Sequence, residues 1–371
     1  MIKDRGQKSL ALKYAVGKRW FPQLEVDVLP KLVTTASQKA LTDVDVLASI
    51  PDEFEGYRTV VIDCKTSKKE SPIARALWVR GLMDQIGATR GLCVLDKDSI
   101  ESDHRYCAAQ FGVVLLAQDE FPRYAEATGS RLDSWQSNCA SIDLWERFVE
   151  IGRNYFVLAP TVEFITSQYW TCRSDSEACR KVVAETVRVR PEVDPAKPEH
   201  IALVFDLAAL FAHSLSKIVA KVFASYLQPK NRDELSGALL TLLYGGRENY
   251  EHLNSLKGMI KGTASGESPL TLPEWDRFLQ LVRHGLDAPT ELPHVALLIR
   301  EVGWSFLNKG EQLGFAAILA QEKRQAAKLA LLIVEYVTKA AKLPPEFGAT
   351  STRLLLDLQQ PPTQTALPLS S

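Results

Sequence analysis

The feature that most constrains the fold of this chain is a change of rhythm near residue 120. Before it, short apolar runs alternate with helix-length stripes. QKSLALKYAVGKRW (7–20) has the spacing of a helix, and LEVDVLPKLV (24–33), TDVDVLASI (42–50) and TVVIDCKT (59–66) read as three successive strands. IARALWVRGLMDQI (73–86) then reads as a helix, GLCVLD (91–96) as a strand, SDHRYCAAQFG (102–112) as a helix and VVLLAQ (113–118) as a last strand. Ser71-Pro72 suits a helix start, and Gly87 and Gly91 punctuate the return to a strand. This order predicts an α/β core over residues 1–120, a mixed sheet flanked by helices.

Residues 121–141 are polar and turn-rich and are expected as a linker. From there helix-length patterns dominate, which predicts a large all-α domain over residues 142–358. Its helices are expected at Leu144–Tyr155, Val162–Cys172, Ser176–Val189, Ile201–Leu227, Asp233–Leu243, Glu248–Ile260, Leu272–His284, Val295–Leu307 and Gly314–Ala341. Breaks fall at Pro160, Pro191 to Pro195, Gly245-Gly246, Gly262 to Pro269, and Pro289 with Pro293. The tail over residues 359–371, proline- and serine-bearing and without periodicity, is expected to be disordered. No fixed-period repeat points to a solenoid.

With 371 residues, 46% of them apolar, the chain can bury two cores of ordinary size. The formal net charge of −1 excludes a whole-chain attraction to nucleic acid, so any such binding must come from local basic patches. The six cysteines form no C-x-x-C pair, which suits reduced thiols in a cytoplasm and gives no zinc site. The N-terminus lacks the apolar run of a signal peptide. Asp206, His213, Lys217 and Lys221 interrupt the apolar run from Ile201 to Ser225, so it reads as a core helix and no membrane contact is expected. The localisation expected is cytoplasmic.

The segment richest in chemistry is TDVDVLAS followed by VVIDCKTS. Side chains two apart on a strand share a face, so Asp63 and Lys65 project together while Cys64 points away, and Asp43 and Asp45 behave alike on the preceding strand. If the strands pair, an acid from each converges with one lysine. Carboxylate oxygens gathered this way are the hard ligands that Mg²⁺ (or Mn²⁺) prefers, and a lysine beside them can stabilise charge developing on a phosphate. Asp63-Cys64-Lys65 is the only acid-x-Lys triplet in the chain, and it ends an apolar run where an acid is locally unfavourable.

Asp45 followed by Asp63-Cys64-Lys65 resembles the PD-(D/E)XK nuclease superfamily, and TDVDVLAS … VVIDCKTS … AAQFGVVLL is similar to its Mrr-like restriction-endonuclease branch. The resemblance covers about residues 7 to 120. It implies a restriction-endonuclease-like core, Asp45 and Asp63 as metal ligands, Lys65 as the catalytic lysine and the Cys64 backbone carbonyl as a further ligand. Many relatives carry a glutamate on the first helix, whereas QKSLALKYAVGKRW has no acid and Gln7 stands near that place. Glu25 or Asp27 on the following strand, or Asp43, are the candidates to complete the metal shell.

Lys68, Lys69, Arg75 and Arg80, with Trp78 between the arginines, are candidates to track a nucleic-acid backbone; a solvated helix face with Trp78 packed on the sheet is the plain alternative. Thr89 stands where a tyrosine partner of Gln85 would be needed, so an exonuclease is not expected. Asp206 and His213 share a helix face and suit core hydrogen bonds. Tyr244 to Tyr250 suits a helix–helix turn, and His104, His252 and His284 lack ligand spacing. The expected function is a Mg²⁺-dependent DNA endonuclease in prokaryotic defence against foreign DNA or in DNA repair. Its helical domain would serve substrate recognition, a partner protein or a homodimer. The rivals are a catalytically silent nuclease-fold adaptor or scaffold, and an RNase.

Overall fold

Apolar residues three and four apart fix the first helix: Ala11, Leu12, Ala15 and Val16 form one buried stripe of α1 (Arg5–Gly17). The computed structural model describes residues 2–30, 40–67, 69–130, 136–261, 269–309 and 313–358. Among these, β1 (Phe21–Val28), β2 (Thr42–Asp52), β3 (Gly56–Lys65), β4 (Arg90–Leu95) and β5 (Val113–Ala117) form one mixed sheet in the order β1-β2-β3-β4-β5. The first three strands are antiparallel. The α2 (Pro72–Ile86) and α3 (Ser102–Gln110) crossovers make β3, β4 and β5 parallel. Ser71 caps α2, its hydroxyl accepting from the Ala74 N–H, with Pro72 in the first turn.

The two faces of the sheet belong to different cores. Val60, Ile62, Cys64, Leu92 and Val94 pack with α1 and the helical region, while Val61, Cys93, Leu95, Val113 and Leu115 pack under Ala76, Val79 and Met83 of α2. The ladder between β2 and β3 ends at Val46↔Ile62. Beyond it β2 continues with β1 (Val44↔Val26) and β3 with β4 (Asp63↔Cys93, Lys65↔Leu95), so the two strands part into a fork.

After β5 come α4 (Phe121–Ala127), α5 (Ile142–Asn154), α6 (Ala159–Thr166), α7 (Asp175–Val189), α8 (Pro198–Tyr226), α9 (Arg232–Leu243), α10 (Arg247–Lys261), α11 (Trp275–Asp287), α12 (Val295–Ser305), α13 (Gly314–Glu322), α14 (Arg324–Ala340) and α15 (Pro345–Asp357). α8 is the hub, packed by α7, α11, α12 and α14. It is long and apolar enough to cross a membrane, yet 94% of its apolar window is buried within the protein. The β2–β3 turn rests on it: Gly56, at φ 76, lies so close that a Cβ would stand 2.8 Å from the Ser216 carbonyl.

Residues 121–141, expected as a linker, include α4, whose Phe121 packs edge-on against Tyr14 of α1. They also include a buried turn gripped by α12. Glu301 accepts from the backbone N–H of Asn138 (2.6 Å) and Cys139 (2.9 Å) and from the Ser137 hydroxyl (2.8 Å). Several boundaries differ from expectation. β1 runs from Phe21, taking in Pro22 near its start as an edge strand can, and stops at Val28, before Leu29-Pro30. The helix expected over Gly314–Ala341 breaks at Lys323 (φ −130, ψ 72), and that over Val162–Cys172 breaks at Ser167 into a 3-10 turn. α15 was not anticipated as a separate helix. The tail over residues 359–371 and most of the loop from Gly262 lie outside the described residues.

One buried histidine makes stability depend on pH. His294, just before α12, is buried and its Nδ1 has no hydrogen-bond partner among the described residues. Burial pushes its imidazole down to about 4, with Lys323 and Arg19 adding to the push and Glu322 opposing it. The unfolded chain therefore binds this proton first as pH falls below about 6.5, and stability is lost between there and about 4. The loss should reach about 2 kcal/mol by about pH 5. Urea midpoints measured near neutral pH and at about pH 5 should fall less in His294→Gln than in wild type. Parallel losses in the two proteins would exclude His294 as the source.

Candidate active site

The fork between β2 and β3 creates the site. Where the ladder stops, Cys64 is no longer paired with the β2 backbone, and its N–H donates to the side chain of Asp45 on that strand, with Oδ2 accepting at 2.7 Å. The same Oδ2 lies 3.3 Å from Lys65 Nζ, which is 3.8 Å from Asp63 Oδ1. Asp45, Asp63 and Lys65 thus meet at one point, and both aspartates are only 2% exposed. The Cys64 side chain points the other way, into the core under α1, where burial pushes its thiol well up.

Three chain cations hold these carboxylates. The first turn of α2 brings Arg75 onto Asp63 as a two-pronged pair, Nε to Oδ2 at 2.7 Å and Nη2 to Oδ1 at 2.5 Å. Its guanidinium lies 3.6 Å from the centre of the Trp78 ring, and Glu70 approaches it at 3.6 Å. Burial raises the Asp63 carboxyl above its ordinary value, while Arg75 pulls it down. Lys8 of α1 is 2% exposed and sits between Asp45 Oδ1 (2.9 Å) and Glu25 Oε1 (2.8 Å). Burial opposes its charge, but Asp45 and Glu25 outweigh burial and hold it above its ordinary value. Glu25 occupies the left-handed region at φ 50 in mid-strand, a costly conformation for a residue with a side chain.

The first helix therefore contributes a base where the resemblance implied an acid. Neighbouring Gln7 donates to Gln118 Oε1 (2.7 Å) and to the Lys65 carbonyl (3.2 Å), which fixes the end of β3. Lys8 was not singled out from the sequence. Its position three and four residues before Ala11 and Leu12, on the buried stripe, is the signal that marks it.

The other candidates fall in different places. Glu25 shares a cation with Asp45, whereas Asp43 is exposed and paired across the ladder with Asp27. Arg80 pairs with Asp84 and donates to the Phe111 carbonyl instead of facing the centre. Lys69 is exposed on the turn after β3, and Lys68 lies outside the described residues. Gln85 donates to the Leu29 carbonyl. Asp206 and His213 serve separate networks: Asp206 pairs with Arg300, and His213 joins Tyr169 and Ser49. Gly245 and Gly246 form the turn between α9 and α10.

Among the described residues no group of three or more His, Cys, Asp or Glu is arranged to hold a metal. The donor chemistry at the fork, two carboxylates beside a strand carbonyl, is nevertheless the hard-oxygen kind that suits Mg²⁺, an ion that keeps several waters and takes oxygens from its substrate. Among the described residues, four carboxylates (Glu25, Asp45, Asp63, Glu70) face three cations (Lys8, Lys65, Arg75). Comparison with protein families, with curated proteins and with solved structures returned no match.

Proposed function

We propose that the Asp45–Asp63–Lys65 centre hydrolyses phosphodiester bonds in DNA with the help of a divalent cation, Mg²⁺ or Mn²⁺. The observation that carries this reading is the convergence of the two aspartates and the lysine at the strand fork. Asp45, Asp63 and the Cys64 carbonyl would hold the cation, which supplies a polarised water and neutralises charge on the phosphate. Arg75 is the residue that must move. Leaving Asp63 without it would cost about 3–5 kcal/mol, comparable to the whole binding energy of a millimolar ligand, about 4 kcal/mol. Arg75 therefore exchanges partners when a substrate phosphate arrives, because its guanidinium binds phosphate by the same two-pronged geometry. Lys65, held only by longer contacts, donates to the oxygen on which charge develops. A single centre cuts one strand per event, so double-strand cutting takes a homodimer or two visits. The resemblance to the nuclease superfamily supports defence against foreign DNA or DNA repair as the setting, with the helical region engaging substrate or partner.

A second reading rests on the same cations. With Lys8 buried on Asp45 and Arg75 clamped on Asp63, the centre also suits a silent nuclease-like scaffold. Purified wild type and Asp63→Ala, incubated with plasmid DNA and with structured RNA in Mg²⁺, Mn²⁺ or EDTA, separate these. Wild type should nick DNA only with metal, and Asp63→Ala should be at least about 100-fold slower. Preference for RNA would make the protein an RNase. Intact nucleic acid under every condition would establish the scaffold reading.

A further inference from the structure

A cavity of about 970 Å³ separates the β1–β2 side of the sheet from the wall made by α7 and α8. Asp45, Asp63 and Lys65 do not line it. Its size lies at the upper end of small-molecule sites, roughly 300–1,000 Å³. Its two walls differ in chemistry. The sheet side offers Val26, Val44 and Leu47, with one carboxylate among them, Asp27, which accepts from the Ser167 hydroxyl at 3.1 Å, together with Trp170 from the 3-10 turn before α7. The Trp170 indole N–H is already used by the Ile165 carbonyl at 3.0 Å, which leaves the ring as an apolar wall.

The helical side carries Arg173, Lys181, Lys217 and Lys221 against two carboxylates, Asp175 and Glu177. Lys181 is matched by Glu177 at 2.8 Å. Asp175 is shared between Lys217 (3.3 Å) and Lys221 (2.7 Å), an arrangement that holds two ammonium groups together and leaves each with further protons to donate. Among the described lining residues four cations thus face three carboxylates, Asp27 included, and the excess of positive charge lies on the helical wall.

We propose that this cavity binds a free nucleotide, with its phosphates on Lys217, Lys221 and Arg173 and its base against Trp170 and the apolar β1–β2 wall. An ammonium and guanidinium cluster selects phosphate by charge and hydrogen bonding. An aromatic ring beside it adds stacking that any base can use. Because the sheet and the helical region each supply one wall, the ligand stabilises their junction. The proposal is independent of the nuclease reading and survives its failure.

The test uses the full-length protein in EDTA, so that cutting plays no part. Binding of the four ribonucleoside triphosphates, adenosine and pyrophosphate is measured by titration calorimetry, with melting temperature as a second readout. At least one nucleotide should bind and raise the melting temperature, while adenosine and pyrophosphate each bind at least roughly tenfold more weakly. Lys221→Glu combined with Arg173→Glu, both at exposed or half-exposed positions, and separately Trp170→Leu, should each weaken that nucleotide at least roughly tenfold. Absence of binding at millimolar nucleotide overturns the proposal. So does undiminished affinity in the charge-reversed variant with an unchanged melting temperature, or pyrophosphate binding as tightly as any nucleotide. A single-stranded oligonucleotide that binds the cavity more tightly than the free nucleotide would reassign it to a nucleic-acid strand.

Discussion

Arg300→Ala should lower the unfolding free energy by about 3–5 kcal/mol, measured from urea unfolding followed by circular dichroism. Arg300 and Asp206 are both 0% exposed, with Nε 2.6 Å from Oδ1, so truncation strands a carboxylate that has no water to turn to. The guanidinium also donates to the Pro22 carbonyl at 2.5 Å and to Gln23 Oε1 at 3.2 Å, and it lies 4.0 Å from the centre of the Phe21 ring. Those contacts cross from α12 to β1, so the loss is felt on both sides of the molecule. Asp206→Leu in the Arg300→Met background should recover part of it, because an apolar pair of similar volume removes the stranded charge. A fall of less than about 1 kcal/mol in Arg300→Ala would mean that water reaches Asp206.

Lys65→Ala should have its effect on chemistry instead. Its ammonium makes only longer contacts with Asp45 and Asp63, and the side chain is 26% exposed. Removal leaves Asp45 with Lys8 and Asp63 with Arg75, so no buried carboxylate is stranded and stability should change by less than about 1 kcal/mol. The rate of plasmid nicking in Mg²⁺ should fall about 10²–10³-fold, the cost of losing a group aimed at developing negative charge. A variant that nicks as fast as wild type removes Lys65 from the mechanism. Stability lost along with activity would instead assign it a structural role.

Much of the sheet is legible in the sequence because its signals are local. Alternation marks the start of β2, short unbroken apolar runs mark β3, β4 and β5, and Ser71-Pro72 marks the start of α2 to the residue. Strand geometry brings out Asp45, Asp63 and Lys65, since two-residue spacing fixes which side chains share a face. What stayed hidden depends on partners distant in the chain. Lys8 and Arg75 find their carboxylates on strands that the linear order does not pair with them, and nothing local tells an exposed arginine from one that closes on Asp63. Asp206 and Arg300 are likewise apart in sequence and joined only by the packing of α8 on α12. The break at Lys323 has no glycine or proline to announce it.

Arg300 and Glu301 stand next to each other on α12 and carry opposite charges to opposite errands. Arg300 holds the start of β1 at Pro22 and Gln23, and Glu301 holds the turn at Asn138 and Cys139. Two residues past Gln23 the same strand carries Glu25, which shares Lys8 with Asp45. The seating of one interior helix and the charge balance of the carboxylate centre are consequently not independent variables. A ligand, partner or substitution that shifts α12 pulls on β1 through the hydrogen bonds from Arg300, two residues from the glutamate that shares the Lys8 clamp on Asp45.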